Sequence, residues 1–281
     1  MKQDWSAALK RGMARLRKQD ARVARGYRRY RGTRPPVRWF LWLLWAALLC
    51  AAAAGIWLIS HQSPAAGALL RGLAQHTAAC ISRITGVLPI PINEWLIGLA
   101  LGLVLYRLIR GLWKKQWAAL GRGLCRVIFF AALAVFLFMA LFMVQHSAPP
   151  LAQRMGLTVE QYTQAQLEEY CDYAVEQVNR LAEQVPRKED GECDFGAFRP
   201  LSRLVSAEYE TLAAAEPVFD APRPGLVKRS LLGGRIMSLV DLAGYYFPWT
   251  GESIVSSDVV DTHIPFNIAH ERAHALGIGP E

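Results

Sequence analysis

The 281-residue sequence predicts a membrane protein in which three transmembrane α-helices are followed by a mixed α+β domain outside the membrane. Three observations carry this expectation: long uncharged apolar runs, a charge balance that reverses along the chain, and a change of patterning after residue 145. Hydrophobic residues make up 53% of the sequence, rich for a wholly soluble protein, so a membrane reading starts ahead.

Residues 39–60 form 22 positions without a charge, long enough to cross a bilayer core at the helical rise of about 1.5 Å per residue. The run is too long, and its basic leader too extended, for a cleaved signal peptide, so a retained span is expected. Residues 127–145 form a second uncharged run of 19. Between them, residues 92–110 form a weaker candidate, whose Arg107 and Arg110 must snorkel to the interface.

Charge supports the middle span. Residues 1–38 hold thirteen Lys/Arg against two acids, and residues 107–126 hold six with none, whereas 62–94 has only Arg71 and Arg83. Basic segments belong on the cytoplasmic side, and only three spans put both there. The expected organisation is a basic cytoplasmic tail (1–38), a three-span membrane domain (39–145) and an extracytoplasmic domain (146–281) of a bacterial cell membrane protein. That last region carries eleven Lys/Arg against twenty Asp/Glu. The overall charge of +9 therefore describes neither end, and the basic tail reads as an orientation signal at anionic membrane lipid, not as a nucleic-acid arm.

In the third region, Thr163-Gln164-Ala165-Gln166 has the form of a capping box. Leu167, Cys171, Ala174, Val178, Leu181 and Val185 then recur at helical spacing up to Pro186. Leu201, Leu204, Val205, Glu208 and Leu212 predict a second helix ending before Pro217. From Pro222 onward, Leu226-Val227, Ile236-Met237-Ser238-Leu239-Val240 and Tyr245-Tyr246-Phe247 read as strands between turns. A last helix is expected from Pro265 to about Gly277. Five scattered cysteines exclude a disulfide scaffold; a Cys171–Cys193 bridge is conceivable in an oxidising compartment, with reduced thiols the favoured state.

The chemistry-bearing motif is His270-Glu271-Arg272-Ala273-His274 on that last helix. Histidines four residues apart share a helix face and can offer imidazole nitrogens to one Zn2+, while Glu271 beside the first ligand is the candidate proton carrier for peptide hydrolysis. The competing reading is two histidines on an exposed helix with an incidental glutamate, but the motif lies among Ile264, Phe266, Ile268, Ala269, Ala273 and Leu276. A catalytic zinc has three protein ligands, and only His270 and His274 are identified. The position for a third histidine in a longer HExxHxxGxxH motif is Pro280; upstream, the nearest candidates are His263, Asp261 and Asp258.

The sequence also resembles a bacterial membrane family known as domain of unknown function 3810. The resemblance rests on Leu88-Pro89-Ile90-Pro91-Ile92, on Pro150-Leu151-Ala152 with Gly156-Leu157, and on the block from Gly244-Tyr245-Tyr246-Phe247 through Pro248-Trp249-Thr250-Gly251-Glu252. Pro265-Phe266 and the HExxH helix with Gly277 complete it. It implies spans followed by a zincin-like metallopeptidase domain, and a chain that continues past Glu281 into an acidic helix supplying the third ligand; the domain here is then expected to be incomplete. Within the second block, Glu252 could contact a peptide aligned on a strand formed by Tyr246 and Phe247, or the block could pack around the helix, and packing is favoured.

Three functions follow as expectations. The first is a membrane-anchored zinc metallopeptidase acting on extracytoplasmic peptides or envelope proteins. The alternative is a non-catalytic envelope or partner-binding protein with a degenerate HExxH site. A transporter component is the weakest, because the clear spans hold few polar residues.

Overall fold

The computed structural model describes residues 37–278 together with Met13. Most of the basic tail, Pro280 and Glu281 lie outside the described residues. Four long helices come first: α1 (Val37–Gln62), α2 (Pro64–Gly86), α3 (Ile92–Trp113) and α4 (Trp117–Leu141). Three of them, α1, α3 and α4, are long and apolar enough to cross a membrane. The last of these begins ten residues before the expected start at residue 127 and ends at Leu141, with a 3-10 turn, Met143–Ser147, taking its expected end. Arg126 is accommodated inside the helix by lying over the Trp42 ring at 6.0 Å, a cation–π contact that also joins α4 to α1. Trp42 meets Phe129 as well, edge to face with centroids 4.9 Å apart.

The helix α2 was not anticipated. Ser63 caps it, its side chain accepting from Ala66 N, and Pro64 opens its first turn. Its buried stripe is small: Gly67, Ala74, Ala78, Ala79 and Ser82. Small side chains let backbone come close. A methyl group added at Gly251 would lie 2.8 Å from Ser82 N, and one at Gly225 would lie 2.6 Å from Ser82 O. The helix therefore runs from the end of α1 directly along the underside of the C-terminal region.

That region is a helical domain with a small sheet. After a single turn, α5 (Leu151–Arg154), come α6 (Gln164–Ala182), α7 (Phe198–Ala215), β1 (Lys228–Arg229), α8 (Gly234–Leu239), β2 (Gly244–Phe247), β3 (Glu252–Val255) and α9 (Ile264–Ala275). The capping box at Thr163 is present in full. Strand order is β1-β3-β2, with β1 parallel and β2 antiparallel to β3. Central β3 is buried throughout, and Ile254 and Val255 are fully enclosed. Val227, Val255, Ile264 and Ile268 form the core, with Phe198, Leu201 and Val205 of α7 packed against them.

Two sequence expectations shift here. The first strand after Pro222 is Lys228–Arg229, just beyond Leu226-Val227. Ile236-Met237-Ser238-Leu239-Val240 is not a strand: Met237 is its only buried position, three residues after buried Gly234, and that spacing is helical. All five cysteines are free, including Cys171 and Cys193.

The domain is keyed to the ends of the apolar helices by two carboxylates. Glu252 accepts from Ile92 N (2.9 Å) and Asn93 N (2.8 Å) at the start of α3, where the helix dipole favours negative charge. It also accepts from Thr250 Oγ1 at 2.8 Å and pairs with Lys228 Nζ at 2.6 Å, both partners buried. Lys228 spends its remaining donors on the carbonyls of Thr85 and Ile90, at the end of α2 and just before α3. Conversely, Glu94 in the first turn of α3 accepts from Ser230 Oγ and from Leu231 N and Leu232 N in the domain. Trp249, in the β2–β3 turn, donates its indole N–H to Ala134 O of α4 at 2.9 Å.

Candidate metal centre

The helix α9 places the HExxH residues. Pro265 fixes its first turn, and Gly277, at φ 82°, follows its end. Ile264, Asn267, Ile268, Glu271, Arg272 and Ala275 make its buried face. The helix is held at several points. Ser253 Oγ of β3 donates to Glu271 O (2.8 Å), Tyr209 Oη of α7 donates to Ala269 O (3.0 Å), and Arg272 donates to Pro224 O and Gly225 O. At its far end Gln75 of α2 donates to Leu276 O.

His270 and His274 meet as the four-residue spacing requires, with their Nε2 atoms 3.1 Å apart. His274 Nδ1 lies 3.2 Å from Ile278 O. With the Nδ1 proton given to that carbonyl, His274 presents its Nε2 lone pair, the arrangement found behind metal-ligating histidines. Burial lowers the pKa of His274; the Ile278 carbonyl raises it, and His270 and His146 lower it. The net shift favours the neutral ring that a metal needs.

Glu271, beside His270 in the chain, lies against β2 of the sheet. It is only 3% exposed, and a methyl added at Gly244 of β2 would lie 2.6 Å from its Oε1. Burial pushes its carboxyl up to about 8, and Oε2 has no hydrogen-bond partner. A carboxyl so placed has been taken out of water without a compensating donor. The donor set thus fits two ligands of a zinc site with an adjacent acid. Two of the upstream candidates are otherwise placed: Asp261 is engaged by Lys188 at 2.7 Å, and His263 caps α9 two turns before His270. Among the described residues no group of three or more His, Cys, Asp or Glu stands together in a metal-binding cluster.

Sequence reasoning missed the membrane side of this site. Phe142, which caps α4, has its ring 6.3 Å from that of His274, 5.7 Å from Tyr246 and 5.0 Å from His146. Burial pushes the Tyr246 hydroxyl up to about 12. His146 Nδ1 is buried without a partner. The signal was faint, a lone histidine just past an apolar run. Tyr245 faces away from this group, its hydroxyl taking a hydrogen bond from Asn93 Nδ2 at 2.6 Å. Glu252 is likewise committed to α3 and Lys228, so the favoured packing role of its block matches its contacts.

A helical domain with a three-stranded sheet, set on helices apolar enough to cross a membrane and carrying an HExxH helix against that sheet, defines the class. The chain belongs to the family described as protein of unknown function (DUF3810), whose profile matches residues 70–281. The match begins inside α2, so α1 lies before it. No curated protein and no solved structure matches the chain.

Proposed function

We propose that the protein is a membrane-anchored, zinc-dependent metallopeptidase of HExxH type acting on extracytoplasmic peptides or envelope proteins. The observation that carries this reading is the pair of imidazole Nε2 atoms 3.1 Å apart, next to a buried carboxyl with an unpartnered oxygen. His270 and His274 hold the metal in this reading, and Ile278 O orients His274. When bound, zinc supplies Lewis acidity for polarising a carbonyl and acidifying water. Glu271 accepts a proton at its carboxylate and returns it to the leaving amine; its raised pKa, about 8, suits a group that must do both near neutral pH. The positive-inside pattern supports a cytoplasmic N-terminus and a domain outside the membrane.

The test uses the full chain in lipid nanodiscs. Equilibrium dialysis against Zn2+ should load one equivalent, and His270→Ala or His274→Ala should abolish loading. Glu271→Gln should keep the metal yet lower hydrolysis of a mixed peptide library by about 10²–10⁴-fold. Failure of the wild-type chain to retain zinc beyond the histidine variants would overturn the metal reading.

A second reading, a non-catalytic envelope protein with a degenerate site, draws on the lack of a third ligand among the described residues. Zinc held stoichiometrically without hydrolysis, or hydrolysis indifferent to Glu271→Gln, would favour it.

A further inference from the structure

Between β1 and β2 the chain makes a loop, residues 230–243, around the single turn of α8, and it turns apolar side chains outward. Leu231, Leu232, Ile236, Leu239, Val240 and Leu242 are all exposed, Leu239 at 84%. A cluster of this kind in water is a rarity on soluble domains and marks a surface that another apolar phase covers. The outward pose is built, not loose. Met237 and Gly234 are buried beneath the loop, with Gly234 against the Ser257 side chain. Met237 N donates to Gly233 O at 2.8 Å, and Leu242 N donates to Met237 O at 2.9 Å.

What covers the loop follows from where it is rooted. Glu94 accepts from Ser230 Oγ at 2.5 Å, from Leu231 N at 3.2 Å and from Leu232 N at 2.8 Å. That carboxylate sits in the first turn of α3, a helix apolar enough to cross a membrane. Directly beyond it, Trp95, Leu96 and Leu99 are themselves exposed, and acyl chains are their natural solvent. The loop is thus anchored at the start of α3, next to exposed apolar residues of a helix apolar enough to cross a membrane. Arg235 and Asp241, exposed at its shoulders, can keep their charges at the headgroups while the apolar side chains descend.

We propose that residues 231–242 form a membrane-dipping loop whose partner is the phospholipid acyl region of the leaflet bordering the C-terminal domain. The loop gives that domain a second lipid anchor beside the spans, independent of the metal centre.

Site-directed spin labelling of the full chain in phosphatidylcholine–phosphatidylglycerol vesicles tests this. In a background whose five native cysteines are replaced by serine or alanine, Ile236→Cys and Leu239→Cys are labelled and compared with Leu103→Cys in α3 and Asp190→Cys in the exposed charged loop after α6. The expected result is a ratio of oxygen to nickel-chelate collision rates near that of position 103, several-fold above that of position 190. A ratio like that of position 190, or protection from both reagents as under a protein partner, overturns the proposal. Should the cysteine-free chain fail to fold, the unmodified chain is photolysed with a phosphatidylcholine bearing an acyl diazirine. Lipid adducts between Ile236 and Gly244 support the loop's insertion, and adducts confined to the spans refute it.

Discussion

Glu271 is the residue whose surroundings do most to define the site. In the metal-free chain its folded pKa near 8 lies above the ordinary 4.5, so the folded state holds a proton that the unfolded state releases across that interval. The stability this contributes is complete below about 4.5 and is lost as pH rises through about 8. Thermal unfolding of metal-free protein should therefore show a lower Tm at pH 9 than at pH 5, and Glu271→Gln should remove the part of the difference owed to this group. Identical pH dependence in the variant would show that the carboxyl is not buried as described. Its neighbour Gly244 supports a second prediction. A methyl there would lie 2.6 Å from Oε1 and 2.8 Å from Cγ of Glu271, so that buried side chain must shift. Gly244→Ala should cost about 1–3 kcal/mol in chemical denaturation and disturb zinc loading, whereas Gly72→Ala, which meets nothing within 4 Å, should not.

Among the elements, α2 bears the most weight for its modest sequence. Its alanine stripe lies flat beneath the sheet, and Ala78 is 2% exposed with its carbonyl 2.9 Å from where a Gly251 methyl would sit. Ala78→Leu should therefore cost about 1–3 kcal/mol by forcing helix and sheet apart, while Leu73→Ala on the exposed face should be nearly silent; unfolding in denaturant distinguishes them. This element also shows where sequence reading stopped. The apolar helices, the capping box at Thr163 and α9 were legible because each rests on local signals: an uncharged run, a cap or a motif at helical spacing. In α2 the helix-facing stripe consists of Ala, Gly and Ser, which carry little hydrophobic contrast, and only the approach of Gly225 and Gly251 reveals why small residues stand there. The α8 turn misled for the opposite reason. Its exposed Ile236, Leu239 and Val240 look like a buried strand on paper, because an apolar run does not say whether protein or lipid will cover it.

At the scale of the whole molecule, the same logic predicts that the apolar helices and the C-terminal domain unfold as one cooperative unit. The membrane side of the site was illegible in the sequence because its parts are far apart in the chain: Phe142 and His146 reach His274 only through the folded docking of α4. That docking is strongly specified. Lys228 and Glu252, with side chains only 6% and 1% exposed, find partners at Thr85, Ile90, Ile92 and Asn93, all before residue 94, besides Thr250 within the domain. A buried charge that loses such partners is left desolvated and uncompensated, at a cost of about 3–5 kcal/mol. Glu252→Ala should accordingly lower stability in nanodiscs by about that amount, and Lys228→Met with Glu252→Leu together should recover part of it, since removing both charges ends the desolvation penalty. A fragment comprising residues 146–281 would lose α2, the α3 terminus and the Trp249 acceptor on Ala134 at once. It should show helical circular dichroism from α6 and α7 but no cooperative melting, while the full chain melts in a single transition. A sharp, stable transition in the fragment would show instead that the domain folds independently and merely rests on the membrane helices.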